Sequence, residues 1–292
     1  MRCARWPASL VTVALLGLPL PVAEARADPR GVFVSRCEYS HSLPDDPIVH
    51  PGDPGSSHLH DFFGSRSTNA MSRFADMAAS RTTCRLRADT AGYWFPASSL
   101  GERPLQPTFA KIYFFGVRGS PVESVPRGLQ IVGGTSDATS TSDNPHLTWS
   151  CGAEGPRRTP IVDHPYDCTR RARRLDFVDS VVARIELPSC WNGSGLTPSD
   201  LTYLLDGACP RGFRHRLPDM RMQVHVGILD PCQGHVACGP GGTGVNVSLV
   251  SSSGPFYTFH ADLWNTWHQR ALKGLIERCL LAHVRCGVLS DP

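Results

Sequence analysis

The cysteines constrain the fold of this chain more than any other feature. There are eleven in the sequence, and all except Cys3 follow residue 27. In an oxidising compartment an even set of cysteines is typical of a disulfide framework, whereas zinc clusters prefer CxxC pairs, which this sequence lacks. We therefore predict that the ten later cysteines form disulfides. They are Cys37, Cys84, Cys151, Cys168, Cys190, Cys209, Cys232, Cys238, Cys279 and Cys286.

The first 27 residues indicate that the chain is exported into such a compartment. Arg2 and Arg5 precede an apolar run at residues 10–20, and the small residues Ala25 and Ala27 follow it. This is the order of a signal peptide, and we predict cleavage after Ala27 and a secreted, extracellular protein. The apolar run is far shorter than the roughly 20 residues that span a bilayer, so we predict no membrane span.

Spacing along the chain suggests which cysteines pair, although the sequence alone does not fix the connectivity. Cysteines that are close in sequence favour each other, and Cys37 and Cys84 then remain as the fifth pair. The other predicted pairs are Cys151 with Cys168, Cys190 with Cys209, Cys232 with Cys238, and Cys279 with Cys286.

Length and charge limit the domain organisation and the partners. Residues 28–292 are enough for one large domain or two small ones, and proline and glycine are scattered as turn residues rather than gathered in a linker. The net charge is only +3. Four arginines at residues 170–174 form the one basic cluster, but no aromatic residue is interleaved, so we predict no nucleic-acid partner.

Short apolar segments separated by turn residues predict a mainly β protein. They lie at residues 109–117, 129–132, 147–149 and 181–187. In residues 221–229, and again at Val245, Val247 and Leu249, apolar side chains alternate with others, which is the period of a half-buried strand. Because strands and helices do not alternate, we predict an antiparallel sandwich or a jelly-roll-like single domain rather than a doubly wound sheet.

One α-helix is predicted near the C-terminus. Asp262 is a suitable N-cap, and we expect the helix to end near residues 279–283, where the Cys279–Cys286 bridge holds it. The apolar stripe consists of Leu263, Trp267, Ala271, Leu275, Ile276 and Leu280.

The most unusual segment is residues 45–64, where proline and glycine turns precede His58, His60 and Asp61. In an extended chain, residues i and i+2 face the same side, so the two imidazoles point together. This arrangement is typical of metal ligands. The alternative is that the imidazoles hydrogen-bond to the loop backbone and stabilise the turns.

A second segment repeats the pattern, because His260 and Asp262 also share a face of an extended chain. If the two segments converge, three histidines and a carboxylate suit zinc or another divalent transition metal, with His58, His60 and His260 as ligands. The same groups suit metal-free acid–base catalysis, and Asp262 as a helix cap is the structural alternative. The candidate catalytic residues are His58, His60, Asp61, His260 and Asp262.

Several blocks, in order along the chain, resemble the DUF1996 family of secreted fungal and actinobacterial proteins. The blocks are DDPIVHPGDPGSSHLHDFFGSRSTNA, TTC, AGYWFPA, PRGLQIVGG, LTWSC, LPSCWNG, HRLPDMRMQVHVGI and FHADLWNTW. The resemblance implies one continuous domain with a core at about residues 34–286. Besides the five candidate catalytic residues it highlights Asn69, Tyr93, Trp94 and Trp191, which we expect to bind substrate.

These observations lead to three functional hypotheses. The first is a secreted protein acting on an extracellular or cell-envelope polysaccharide, as a hydrolase-like enzyme with a His/Asp site. The second is a non-catalytic carbohydrate- or envelope-binding module whose exposed aromatic rings, such as Tyr93 and Trp94, stack on sugars. The third is a structural envelope protein. Phosphate-loop, GxSxG and HExxH motifs are missing from the sequence. Residues 239–244, GPGGTG, are glycine-rich, but they follow a predicted small disulfide loop and precede a strand, so we interpret them as a turn rather than a phosphate-binding loop.

Overall fold

The structure, a computed structural model, describes residues 30–117, 119–152, 161–165, 181–226 and 249–291. It is mainly β, as predicted. The strands are β1 Val32–Leu43, β2 His60–Gly64, β3 Gly92–Pro96, β4 Ser98–Leu100, β5 Arg103–Leu105, β6 Pro107–Phe115, β7 Gln130–Gly133, β8 Leu147–Cys151, β9 Val181–Glu186, β10 Cys190–Trp191, β11 Leu201–Thr202, β12 His215–Arg216, β13 Asp219–Val226, β14 Leu249–Ser251, β15 Gly254–Pro255, β16 Ala261–Trp264 and β17 Arg285–Val288.

The helical elements are few and short. They are α1 Phe74–Ala79, α2 Gln269–Leu275, a π-helical continuation Ile276–Leu281, and 3₁₀ turns at Thr141–Asp143, Pro198–Asp200 and Phe256–Thr258. Among the described residues, every helix is too short or too polar to cross a lipid bilayer.

Most strands form one antiparallel sheet in the order β7-β16-β3-β2-β1-β6-β13-β9-β8, and β17 adds in parallel to β1. Strand β1 joins the two halves of this sheet. Its first part pairs with β6, and after a register shift between Tyr39 and His41 its last part pairs with β2. Such a bulge bends a strand and increases its twist, which lets the sheet curl.

The two ends of the sheet meet in space. Trp149 on β8 packs against Phe259 beside β16, with ring centroids 5.4 Å apart. A Cβ atom added to Gly133, on the edge strand β7, would lie only 2.4 Å from Leu187, which directly follows β9. The sheet therefore wraps around a single apolar core to which both halves contribute.

Disulfides fasten the sheet and the C-terminal segment. The predicted pairs Cys37–Cys84, Cys190–Cys209 and Cys279–Cys286 are present. Cys151 is also disulfide-bonded. Its predicted partner Cys168 lies outside the described residues, as do Cys232 and Cys238, the arginines at residues 170–174, and the predicted strand residues Val245 and Val247.

The C-terminal helix is present, but its predicted start is wrong. Asp262 and Leu263 belong to β16, which is hydrogen-bonded to β3 on one side and β7 on the other. Helix α2 begins only at Gln269, after His268. Apolar residues at intervals of four do not distinguish one long helix from a short strand followed by a helix, when both elements bury apolar side chains. Here pairing with β3 and β7 makes residues 261–264 a strand. Asp262 is therefore not a helix cap.

Candidate functional site

The position of β2, β3 and β16 explains how two distant histidines come together. Strand β3 lies between the other two and is antiparallel to both, so β2 and β16 begin at the same edge of the sheet. His60 is the first residue of β2, and His260 directly precedes β16. Two strand spacings amount to about 9.5 Å, a distance that two facing imidazoles can bridge.

The three histidines predicted from the sequence form one cluster, which we call the histidine cluster. The ring of His58 lies 4.2 Å from that of His60 and 5.0 Å from that of His260, measured between centroids. The Nε2 atoms of His60 and His260 are 3.4 Å apart. One ligand atom from each of the three residues lies within 4.8 Å of the others.

Backbone carbonyls fix the tautomers of the two buried rings. Nδ1 of His60 donates to the carbonyl oxygen of Asp45 at 3.0 Å, and Nδ1 of His260 donates to that of Thr258 at 3.0 Å. A neutral imidazole carries one N–H, so each Nε2 presents a lone pair. Such a hydrogen bond from the second nitrogen is typical of histidines that bind metals.

Burial keeps these imidazoles uncharged. Desolvation lowers the pKa of His260 to about 4. It also lowers the pKa of His60 well below its usual value, with His260 and His58 adding to the effect, and it lowers the pKa of His58. Neutral imidazole is the form that binds a metal ion, so all three rings are ready to act as ligands near neutral pH.

Asp262 is the most unusual polar group of the site. Both of its carboxylate oxygens are buried, and in the described structure neither has a hydrogen-bond partner. One oxygen lies 3.7 Å from Nε2 of His260. Burial, with Asp46 nearby, raises the pKa of this carboxyl well above its usual value. A buried polar group without a partner calls for an ion or a water molecule.

Asp46 is a second acidic residue of the site, and our sequence analysis did not single it out. One of its carboxylate oxygens lies within 4.8 Å of a ring nitrogen of His60 and of a carboxylate oxygen of Asp262. Its Oδ1 accepts hydrogen bonds from the backbone N–H groups of Ile48 and Val49, so a tight turn holds the side chain. Proline and glycine residues predicted turns in this segment, but local residue types do not predict which part of the sheet a turn will contact.

Asp45 ties this loop to the sheet. One carboxylate oxygen accepts from the backbone N–H of Gly55 and the other from that of Ala70, both at 2.9 Å. Its carbonyl oxygen orients His60. The loop that precedes β2 is therefore laid over the sheet face that carries the cluster.

A cavity of about 200 Å³ opens beside the cluster. His58, His260, Asp46 and Asp262 line it. Its remaining lining residues are Val49, His50, Ser56, Ser57, Val132 and Ser136. His50 is an exposed imidazole that sequence reasoning also missed, because nothing in its own neighbourhood marks it.

Asp61 is not brought to this cluster. It follows His60 in β2 and therefore faces the other side of the sheet, where Ser42 donates a hydrogen bond to it at 2.5 Å. Burial raises the pKa of Asp61 to about 6, and Ser42 opposes this shift. Neither the cavity lining nor the metal-ligand groups among the described residues include it.

The four expected substrate-binding residues lie elsewhere. Tyr93 and Trp94 are fully buried, so neither ring offers a face on which a sugar could stack. Asn69 closes a turn by accepting from the N–H of Met71 and donating to Ser67. Trp191 lies on β10 of a separate small sheet and donates to the carbonyl of Gly195. None of the four lines the cavity described above.

The fold and the site define a β-rich, disulfide-bonded protein with a buried histidine and aspartate cluster that opens into a small cavity. The family model described as Domain of unknown function (DUF1996) matches residues 46–267, which is most of the chain. The chain belongs to this family, and the resemblance noted in the sequence is confirmed. Neither a curated protein nor a solved structure matched the chain.

Proposed function

We propose that this protein is a divalent-metal-dependent hydrolase that acts on an extracellular polysaccharide, with His58, His60 and His260 as the metal ligands. One observation carries the proposal. Both Nδ1 hydrogens of the buried pair are committed to backbone carbonyls, so the Nε2 lone pairs of His60 and His260 face each other at 3.4 Å. Two facing lone pairs repel each other unless a cation lies between them.

The distance fits such a cation. Two imidazole nitrogens bound to one tetrahedral zinc ion at about 2.0–2.1 Å lie about 3.3 Å apart. The third ligand is His58, whose Nε2 is buried and has no hydrogen-bond partner among the described residues. Structural zinc sites are closed by four protein ligands, whereas catalytic sites keep one open position. The adjoining cavity supports the catalytic kind of site.

The acidic residues give the site its second chemical capability. A divalent metal supplies Lewis acidity and lowers the pKa of water. Asp262, with two unpartnered oxygens 3.7 Å or more from Nε2 of His260, can be held ionised by the cation and can accept a proton from water. Asp46 adds a further negative charge that a cation would offset.

Extracellular action on a polysaccharide rests on more general support. Disulfides are compatible with an oxidising compartment. Ser56, Ser57 and Ser136 bring hydroxyl groups to the cavity, and these suit a hydroxyl-rich substrate. A carbohydrate-binding module without catalysis would need exposed aromatic rings, and the two that suggested it, Tyr93 and Trp94, are buried.

Metal content and metal affinity test the proposal directly. We expect protein purified without chelator to contain close to one equivalent of a divalent transition metal by elemental analysis. We expect the chelator-treated protein to take up Zn²⁺ or Mn²⁺ in calorimetric titrations. His60→Ala removes a ligand and should abolish stoichiometric binding. His58→Ala, at a half-buried position, is the variant more certain to fold and should weaken binding at least tenfold.

His268→Ala is the matched control, because His268 is an exposed histidine outside the cluster. It should bind metal like the wild type. Circular dichroism and thermal unfolding of each variant establish that the fold persists. Failure of the wild type to bind zinc, manganese or copper, or equal loss of binding in His58→Ala and His268→Ala, would overturn the proposed metal centre.

A further inference from the structure

The size of the cavity limits what can enter it. At about 200 Å³ it is smaller than the roughly 300–1,000 Å³ of pockets that enclose drug-sized ligands. A polysaccharide chain of several sugar rings does not fit inside. A small substituent on such a chain does fit, with the polymer remaining at the surface.

The charge of the cavity limits the substrate group further. Two aspartates line the cavity, and none of the described lining residues is a lysine or arginine. With a divalent cation and three neutral imidazoles, the two carboxylates bring the formal charge of the site to zero. Enzymes that transfer phosphoryl groups stabilise these anions with a surplus of positive charge from Arg, Lys or Mg²⁺, and the site proposed here has no such surplus. The lining residues therefore favour an uncharged group over a phosphate, a sulfate or a uronic acid.

The hydrogen bonds of Asp46 do not favour the pair of free carboxyl groups that cleaves glycosidic bonds. Glycosidases place two carboxyl groups about 5–5.5 Å or 6.5–9.5 Å apart, on either side of the bond. Here one carboxylate oxygen of Asp46 and one of Asp262 lie within 4.8 Å of each other and of a ring nitrogen of His60. In addition, Oδ1 of Asp46 is occupied by two backbone N–H groups.

We infer that the protein cleaves the bond between a small acyl group, such as acetyl, and a hydroxyl or amino group of an uncharged polysaccharide. This inference rests on the metal-dependent hydrolysis proposed above. A carbonyl group is small and uncharged, and it is a group that metal centres polarise. Ser56, Ser57 and Ser136 are placed to hydrogen-bond to the sugar hydroxyls around it.

The reaction balances without a further reactant. The oxygen of water forms a bond to the carbonyl carbon, and the bond from that carbon to the sugar oxygen or nitrogen breaks. Asp262 accepts a proton from water, and the released sugar hydroxyl or amine takes up a proton. The products are acetic acid and the deacylated sugar, and no oxidation or reduction takes place.

The experiment uses the full mature protein loaded with zinc or manganese. It is incubated with O-acetylated xylan in one arm and with N-acetylated chitin oligomers in the other, and both released acetate and new reducing ends are measured. We expect acetate without reducing ends in at least one arm, and the arms distinguish ester from amide. Asp262→Asn should lower acetate release by about 10²–10⁴-fold while metal content stays stoichiometric. Asp143→Asn, which changes an exposed carboxylate, should leave the rate unchanged.

The possible failures are distinguishable. Metal-dependent formation of reducing ends, or release of phosphate from a phosphate ester, would overturn the acyl-bond inference and leave the metal centre standing. Metal binding without acetate release from either polymer would also overturn it. Absence of metal binding would overturn the proposed function, and the inference with it.

Discussion

The buried carboxyl group of Asp89 makes the stability of this protein depend on pH in a direction that can be worked out. The side chain of Asp89 is fully buried. It accepts hydrogen bonds from Ser35, from the hydroxyl of Tyr93 at 3.0 Å and from the N–H of Ala91 at 3.2 Å, and Trp267 in turn donates to Tyr93. Burial nevertheless raises its pKa to about 7, because these hydrogen bonds offset only part of the desolvation.

The direction of the pH dependence follows from the protonation of Asp89 in the folded and the unfolded protein. Below about pH 4, Asp89 holds its proton in both the folded and the unfolded protein and has no effect on stability. Between there and pH 7 the unfolded chain releases the proton while the folded protein keeps it, so the free energy of unfolding falls as pH rises. From the ordinary value of 3.8 to about 7, at roughly 1.36 kcal/mol for each pKa unit, the loss is on the order of 4 kcal/mol.

Asp89→Asn should remove this dependence. The amide resembles the protonated acid in shape and can donate to Ser35, so the variant should match the wild type near pH 4 within about 1 kcal/mol. Above about pH 7 it should be the more stable of the two by on the order of 4 kcal/mol. Urea unfolding of both proteins across this range, with chelator present, measures the difference, and other titrating groups cancel because both proteins contain them.

A second variant strengthens the test. Ser35 donates a hydrogen bond that lowers the pKa of Asp89, so Ser35→Ala should raise that pKa and extend the loss of stability to higher pH. If the difference in unfolding free energy between Asp89→Asn and the wild type does not change with pH, the account of a protonated, buried Asp89 is refuted.

Three further predictions concern the loop, the sheet and the bridges. Asp45→Ala should lower metal affinity about 10–100-fold in calorimetry, although Asp45 is not a ligand. The reason is that the Asp45 side chain anchors the loop, and the Asp45 carbonyl oxygen orients His60. Unchanged affinity would contradict this prediction. Asp61→Asn should keep full metal content by elemental analysis, since Asp61 faces Ser42, and loss of metal from a folded variant would return Asp61 to the site. Removing the Cys37–Cys84 bridge, which spans 47 residues, should lower the free energy of unfolding in urea by about 4 kcal/mol. Removing Cys279–Cys286, which spans 7 residues, should lower it by about 2.4 kcal/mol. The reverse order would show that loop length does not set the loss.

Local patterns in the sequence determined a large part of this structure. The period of two across residues 221–229 indicated the strand that became β13, and short apolar segments bounded by turn residues indicated β6, β7, β8 and β9. Cysteine spacing indicated the Cys190–Cys209 and Cys279–Cys286 bridges, because short loops close easily. The spacing of His58 and His60 indicated that their rings would lie together, since that geometry is decided within three residues.

Other features depended on which segments lie next to each other, and only the tertiary structure decided them. Tyr93 and Trp94 are buried because β3 lies in the interior of the sheet, with β2 and β16 on its two sides. Residues 261–264 form a strand rather than the first turn of a helix because hydrogen-bonding partners are available on both sides. Residue spacing predicts neither outcome, because the neighbours of a strand are set only when the whole sheet assembles.

The composition of the site shows the same division. The sequence indicated His58, His60, His260 and Asp262 as site residues, and their relative position rests on β3 lying between two strands that start at the same edge. Asp46 joins them because Asp45 fastens the preceding loop over the sheet, through contacts to residues 10 and 25 positions away. Asp61 is turned away because adjacent residues of a strand face opposite sides. Residue types and short spacings are properties of the sequence, whereas the distances across the cluster are set by strand order and loop anchoring, which depend on the whole fold.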